Sequence, residues 1–185
     1  DGLSYEFTLR PDLKWSDGSP LSAEDFVYSF RRLLMPATAA RFASFFYAIR
    51  NARAVVKGEL PPGELGVSAP DAQTVVIELE FPAAYFLQNL GSNPGAPVPR
   101  QAIQEHGRRW TRPGNMLSNG AYRLVQYVPQ SHIELEKNPY FYAADSVQID
   151  KVRYYPTQNL ATQLNRYLAG ELDVRLTNGF VPSLG

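Results

Sequence analysis

Val152-Arg153-Tyr154-Tyr155, then Leu160-Ala161-Thr162-Gln163-Leu164-Asn165-Arg166-Tyr167-Leu168-Ala169-Gly170, then Leu172-Asp173-Val174-Arg175-Leu176, is the stretch on which the fold class turns. Val152 to Tyr155 reads as a strand. In the middle segment Leu160, Leu164, Tyr167 and Leu168 share one helical face, and Gly170 supplies the freedom that stops a helix. Leu172 to Leu176 reads as the next strand. Strand, helix, strand at this spacing predicts a βαβ unit with parallel strands and a right-handed crossover. The class predicted is therefore α/β, or α+β with mixed sheets.

Working back from there, Tyr122 to Val128 and His132 to Lys137 alternate like paired strands around Pro129-Gln130-Ser131, and Asn138-Pro139 breaks the second. Arg100 to His106 reads as a short helix. Gly91 to Pro99, rich in Gly, Pro, Ser and Asn, is the most linker-like stretch and predicts a domain crossover. Pro82 opens a short aromatic helix, Ala83 to Leu90. Val67 to Ala69 and Thr74 to Leu79 form a predicted strand pair with Val75, Ile77 and Leu79 on one face. Residues 41–57 read as a helical region. Upstream, Ser22 and Asp25 make a capping box, and Phe26, Val27, Phe30, Leu33 and Leu34 recur on one helical face until Pro36. Ser16-Asp17-Gly18-Ser19 is a turn with Gly18 free to take a positive φ, and Tyr5 to Leu9 alternates as a half-buried strand.

The 185 residues carry 18 basic and 18 acidic side chains, a formal charge of 0. The basic excess of a nucleic-acid binder is absent, and so is the charge imbalance of a disordered chain. No cysteine is present, which removes thiol nucleophiles, thiolate metal sites and disulfides. His106 and His132 are the two histidines, too few for a three-histidine metal site. No apolar run approaches the length of a membrane span. Strand-like alternation starts a few residues after Asp1 and recurs at Val174 to Leu176, so the sequence reads as a piece of a longer protein.

Enzyme signatures are sparse. The nucleophile elbow, the phosphate loop, the H-E-x-x-H helix and the dinucleotide glycine motif are all missing. Glu78/Glu80 and Glu134/Glu136 each place two carboxylates on one strand face, a pattern open to acid–base work but read here as a solvated face. Glu171 and Asp173 flank the last strand, where a polar helix-to-strand corner is the favoured reading over a cation site. Aromatic residues make up 12% of the chain. Phe7, Phe26 and Phe30 read as core; Phe42, Phe45, Phe46, Tyr85, Phe86, Tyr140, Phe141 and Tyr142 cluster beside loops, where rings also form ligand walls.

Read in order, several segments resemble the oligopeptide-binding protein family of ABC importers, the extracellular solute-binding proteins of peptide/nickel type. They are Tyr5-Glu6-Phe7-Thr8-Leu9-Arg10, Lys14-Trp15-Ser16-Asp17-Gly18, Leu21-Ser22-Ala23-Glu24-Asp25-Phe26-Val27-Tyr28-Ser29 and Leu65-Gly66-Val67-Ser68-Ala69. Pro82-Ala83-Ala84-Tyr85-Phe86, Ser118-Asn119-Gly120-Ala121-Tyr122, Leu135-Glu136-Lys137-Asn138-Pro139-Tyr140 and Asn165-Arg166-Tyr167-Leu168-Ala169-Gly170-Glu171-Leu172-Asp173 follow.

The resemblance implies a periplasmic-binding-protein-like fold of class II, cluster C type. Residues 1–100 correspond to the small second domain and 101–185 to part of the first lobe, with the third domain absent. It implies a receptor that captures an oligopeptide and hands it to a membrane ABC permease, with no reaction, cofactor or metal. The implied setting is the periplasm, or the extracellular face of the cell membrane through a lipid anchor, with the full-length protein a monomer that binds no nucleic acid. The ligand residues it implies are Phe42, after the first long helix, and the strand end Leu176, Thr177 and Asn178, where the family pairs with the peptide backbone. Leu176 and Thr177 depart from the Tyr and Asn often found there, which leaves nickel, a sugar or a dipeptide open as ligand. From the residues alone Phe42 also fits a core position and Thr177-Asn178-Gly179 a plain turn. A carboxylate hydrolase and a protein-interaction module are the readings from other classes.

Overall fold

A computed structural model describes residues 2–157 and 159–175. The chain first lays down β1 (Ser4–Thr8), α1 (Ala23–Leu34), a 3₁₀ turn at Ala43–Phe46, α2 (Ala52–Lys57), β2 (Val67–Ser68), β3 (Thr74–Glu78) and α3 (Phe86–Leu90). After α4 (Arg100–His106) come β4 (Tyr122–Val128), β5 (His132–Lys137), β6 (Lys151–Tyr154) and α5 (Leu160–Leu168). The strands form two separate three-stranded sheets, β1-β3-β2 and β4-β5-β6. Every pairing in them is antiparallel.

The first sheet and α1 enclose the core. Asp25 closes the predicted capping box by accepting the Ser22 N–H at 3.0 Å, which satisfies an orphan donor at the helix start. Burial outweighs this bond and those from Trp15 and Arg100, so the Asp25 carboxyl titrates above its ordinary range. The predicted helical face delivers Val27, Phe30 and Leu34 to a cluster with Phe46, Val55, Val75, Ile77 and Phe86. Phe30 meets Phe46 edge to face at 5.3 Å between centroids. Each such side chain withdrawn from water contributes about 1.5–3 kcal/mol. Phe7 and Phe26, expected as core, are only partly buried and pack around this cluster.

The helical region predicted over residues 41–57 is interrupted. Arg50 donates its N–H to the Glu78 carbonyl at 2.8 Å, and Ile49 bridges to Leu79. The backbone here serves as an extra sheet partner, so only the 3₁₀ turn and α2 on either side are helical. Gly66 makes the crossing possible: a Cβ there would lie 2.7 Å from Arg50 Cβ and 2.8 Å from the Glu78 carbonyl oxygen.

The second sheet has little apolar core of its own. Among the described residues the buried apolar cluster runs only from Ala23 to Phe86. Val125, Tyr127 and Tyr154 of the second sheet stay exposed. Small contacts join the two sheets. Ser118 donates its N–H to Ser16 Oγ at 3.1 Å, and the Arg10 guanidinium lies 4.6 Å from the Tyr142 ring centre. Gly18, at φ +88° as its turn required, accepts the Tyr140 ring so closely that a Cβ would sit 3.0 Å from Tyr140 Cζ.

The predicted βαβ unit is corrected in part. β6 and α5 form, and Asn159 caps α5 by accepting the Thr162 N–H at 2.9 Å. Residues 171–175 form no strand, and Leu176 lies outside the described residues. β6 pairs with β5 alone among the described strands. Among the described residues no strand pairs with Leu172 to Arg175, so no ladder holds that stretch in a sheet. The apolar face of α5 is correspondingly open, with Leu160, Tyr167 and Leu168 all exposed.

Candidate ligand-binding wall

Phe42 precedes the 3₁₀ turn at Ala43–Phe46, whose tight winding sorts its rings. Ala43 and Phe46 point into the core, and Phe42 and Phe45 remain exposed. The core alternative for Phe42 therefore fails, since 44% of its surface meets solvent. Its ring leans on Phe45 at 5.3 Å, and the Arg41 guanidinium lies 5.6 Å from the ring centre. Asn89 of α3 donates its side-chain N–H to the Phe45 carbonyl at 2.9 Å, which ties the turn to that helix. Tyr85, just before α3, is also exposed. Buried Phe46 and Phe86 anchor the two segments, so the outward rings stand on a rigid base. An apolar, slightly cationic wall of this type suits an organic ligand with aromatic or aliphatic groups.

Leu176, Thr177 and Asn178 lie outside the described residues, so of the four expected ligand residues the structure places Phe42. Of the clustered rings, Phe46 and Phe86 are core, whereas Tyr85, Tyr140 and Tyr142 are exposed.

Glu78 and Glu80 keep the solvated face expected of them, whereas the second carboxylate pair departs from it. Glu134 does not face solvent: its side chain is buried and held by Lys151 Nζ at 2.9 Å and by the Arg153 guanidinium. Glu136 meets Lys151 at 3.6 Å and Arg123 at 3.5 Å. Hydrogen bonds from Lys151, then Arg153, pull the Glu134 carboxyl down to about 2. A carboxyl so low, with its oxygens occupied, is ionised at neutral pH and has no proton to donate. The sequence hid this because Lys151 and Arg153 sit two apart on β6, far along the chain, and meet Glu134 only through the register.

The remaining polar candidates are locally engaged. Glu171 pairs with Arg166 at 2.8 Å. His132 contacts Ser131 Oγ at 2.9 Å and the Gln126 amide oxygen at 3.2 Å, and His106 lies 3.9 Å from Glu105. Among the described residues no group of three or more His, Asp or Glu side chains is placed to hold a metal ion, and no helix is long and apolar enough to cross a membrane.

Beside the exposed Phe42–Phe45 pair, comparison with known proteins gives the class of the chain. A family model described as bacterial extracellular solute-binding proteins, family 5 Middle, matches residues 1–183. The chain belongs to that family, whose members bind solutes and are not enzymes. The periplasmic oligopeptide-binding protein OppA of Escherichia coli K12 is 39% identical over 184 residues, covering 98% of this chain and 34% of the relative. The probable deoxycholate-binding periplasmic protein YgiS of the same strain is 41% identical over 175 residues, covering 94% of this chain and 33% of the relative.

Among solved structures, OppA of Burkholderia pseudomallei superposes with a TM-score of 0.90 at 39% identity, covering 94% of this chain and 34% of that one. Haemophilus influenzae OppA in complex with RPPGFSPFR gives 0.90 at 35% identity, with the same coverages. The fold is thus of the OppA-type periplasmic-binding-protein class. The chain spans about a third of the length of the curated relatives it matches.

Proposed function

We propose that this chain is part of a periplasmic receptor that captures oligopeptides and delivers them to a membrane ABC permease, breaking no bond. The observation that carries the reading is the exposed Phe42–Phe45 pair, fixed over buried Phe46 in a chain of the solute-binding family. In this reading residues 1–100 are a small domain, residues 101–185 belong to the first lobe, and a third domain comes from other parts of the full-length polypeptide. The separate sheets, and a buried cluster confined to Ala23–Phe86, support that division. Leu176, Thr177 and Asn178 then supply main-chain pairing to the peptide, with Phe42 as an apolar contact. The full-length protein acts as a monomer, free in the periplasm or tethered by a lipid, and the zero net charge of these 185 residues supports a role without nucleic acid.

Calorimetry of the full-length protein with short peptides tests this. Saturable one-to-one binding is expected, and Phe42→Ala is expected to weaken it about tenfold through loss of an aromatic contact. Absence of binding to every peptide overturns the peptide assignment. The identity to YgiS favours one second reading, an amphipathic steroid acid as ligand. Binding of deoxycholate without binding of peptides would establish it instead.

A further inference from the structure

A recess of about 530 Å³ opens at the C-terminal end of α1, and Arg31, Arg32 and Arg108 line it with no Asp or Glu among the lining residues. None of the three makes an ion pair among the described residues, and Arg31 Nε is buried with no hydrogen-bond acceptor. Arg31 and Arg32 sit in the last turn of α1, where cations offset the negative end of the helix dipole. That role does not account for Arg108, which comes from the 3₁₀ segment after α4, nor for the unmet N–H of Arg31. Three cationic residues lining one recess repel one another less when an anion lies among them, and a planar guanidinium fork matches an oxyanion in two-point contact.

The rest of the lining defines what carries the anion. Tyr28 and Thr38 bring hydroxyls, whereas Met35 and Ile103 bring apolar surface. The recess far exceeds the roughly 30 Å³ that one water occupies in the liquid. We infer that it binds a small organic anion, with a phosphate or carboxylate group on Arg31, Arg32 and Arg108 and an apolar body against Met35 and Ile103. Neither Phe42 nor Phe45 lines the recess.

The test is calorimetric titration of the full-length protein with octyl phosphate, using 1-octanol as the neutral comparator. One saturable site is expected for octyl phosphate and none for octanol. Arg108 is exposed, so Arg108→Gln should fold normally and weaken octyl phosphate about tenfold, as loss of one charge-assisted contact requires. Arg31→Gln should weaken it at least as much. Equal binding of octanol, unchanged affinity in Arg108→Gln, or no saturable binding would each overturn the inference; the last is also what a recess filled by another stretch of the full-length chain would give.

Discussion

Asn138 is fully buried and uses its side-chain amide on three sides. Nδ2 donates to the Gly120 carbonyl at 2.9 Å and to the Ser118 carbonyl at 3.4 Å, and Oδ1 accepts the Tyr140 N–H at 3.0 Å. One side chain thus pins the loop before β4 to the loop after β5. Asn138→Ala strands these groups without partners, and a loss of about 2–3 kcal/mol is expected in urea unfolding of the full-length protein. Asn138→Asp should cost more, since a carboxylate would face two carbonyl oxygens; a melt no worse than that of the alanine variant would contradict this account. The sequence marked Asn138-Pro139 only as a strand breaker. Apart from Tyr140, two residues on, its partners lie 18 and 20 residues away, so no local pattern could announce the pin.

At the scale of elements, local periodicity was a sound guide wherever an element is held by its own neighbourhood. α1 follows its periodicity and cap closely, and β4 and β5 keep their expected bounds although a register shift between Leu124 and Gln126 breaks the alternation of β4. Residues 41–57 were misread because helical spacing says nothing about a backbone donor claimed by Glu78. The expected last strand does not form over Leu172 to Arg175, because pattern alone supplies no ladder partner, and Leu176 lies outside the described residues. Phe42 was legible as a loop aromatic, yet its outward direction needed the core position of Phe46.

The second sheet also predicts a pH response. The Glu134 carboxyl lies at about 2 when folded against 4.5 ordinarily, so its ion pairs favour folding fully above pH 4.5. That contribution should fade as pH falls from 4.5 toward 2. Glu134→Gln should flatten the acid limb of a pH–melting curve for the full-length protein; an unchanged slope would mean the carboxylate is not held by Lys151 and Arg153.

Across the whole molecule, the two sheets are stabilised by different physics. The first encloses the apolar cluster. The second is laced across β4, β5 and β6 by Arg123, Glu134, Glu136, Lys151 and Arg153, with the three cations about half exposed. Between them lie Gly18 under Tyr140, Ser16 with Ser118, and Arg10 over Tyr142.

From that charged lacing it follows that ionic strength should act on the two halves in opposite senses. Added sulfate tightens apolar burial while it screens partly exposed ion pairs. Amide exchange on the full-length protein should therefore slow around Phe30 and Ile77 and quicken along β5 as sulfate rises. Uniform slowing would show that the second sheet owes nothing to its charges. A chain built this way would meet a rise in surrounding sulfate with one half stiffening and the other loosening.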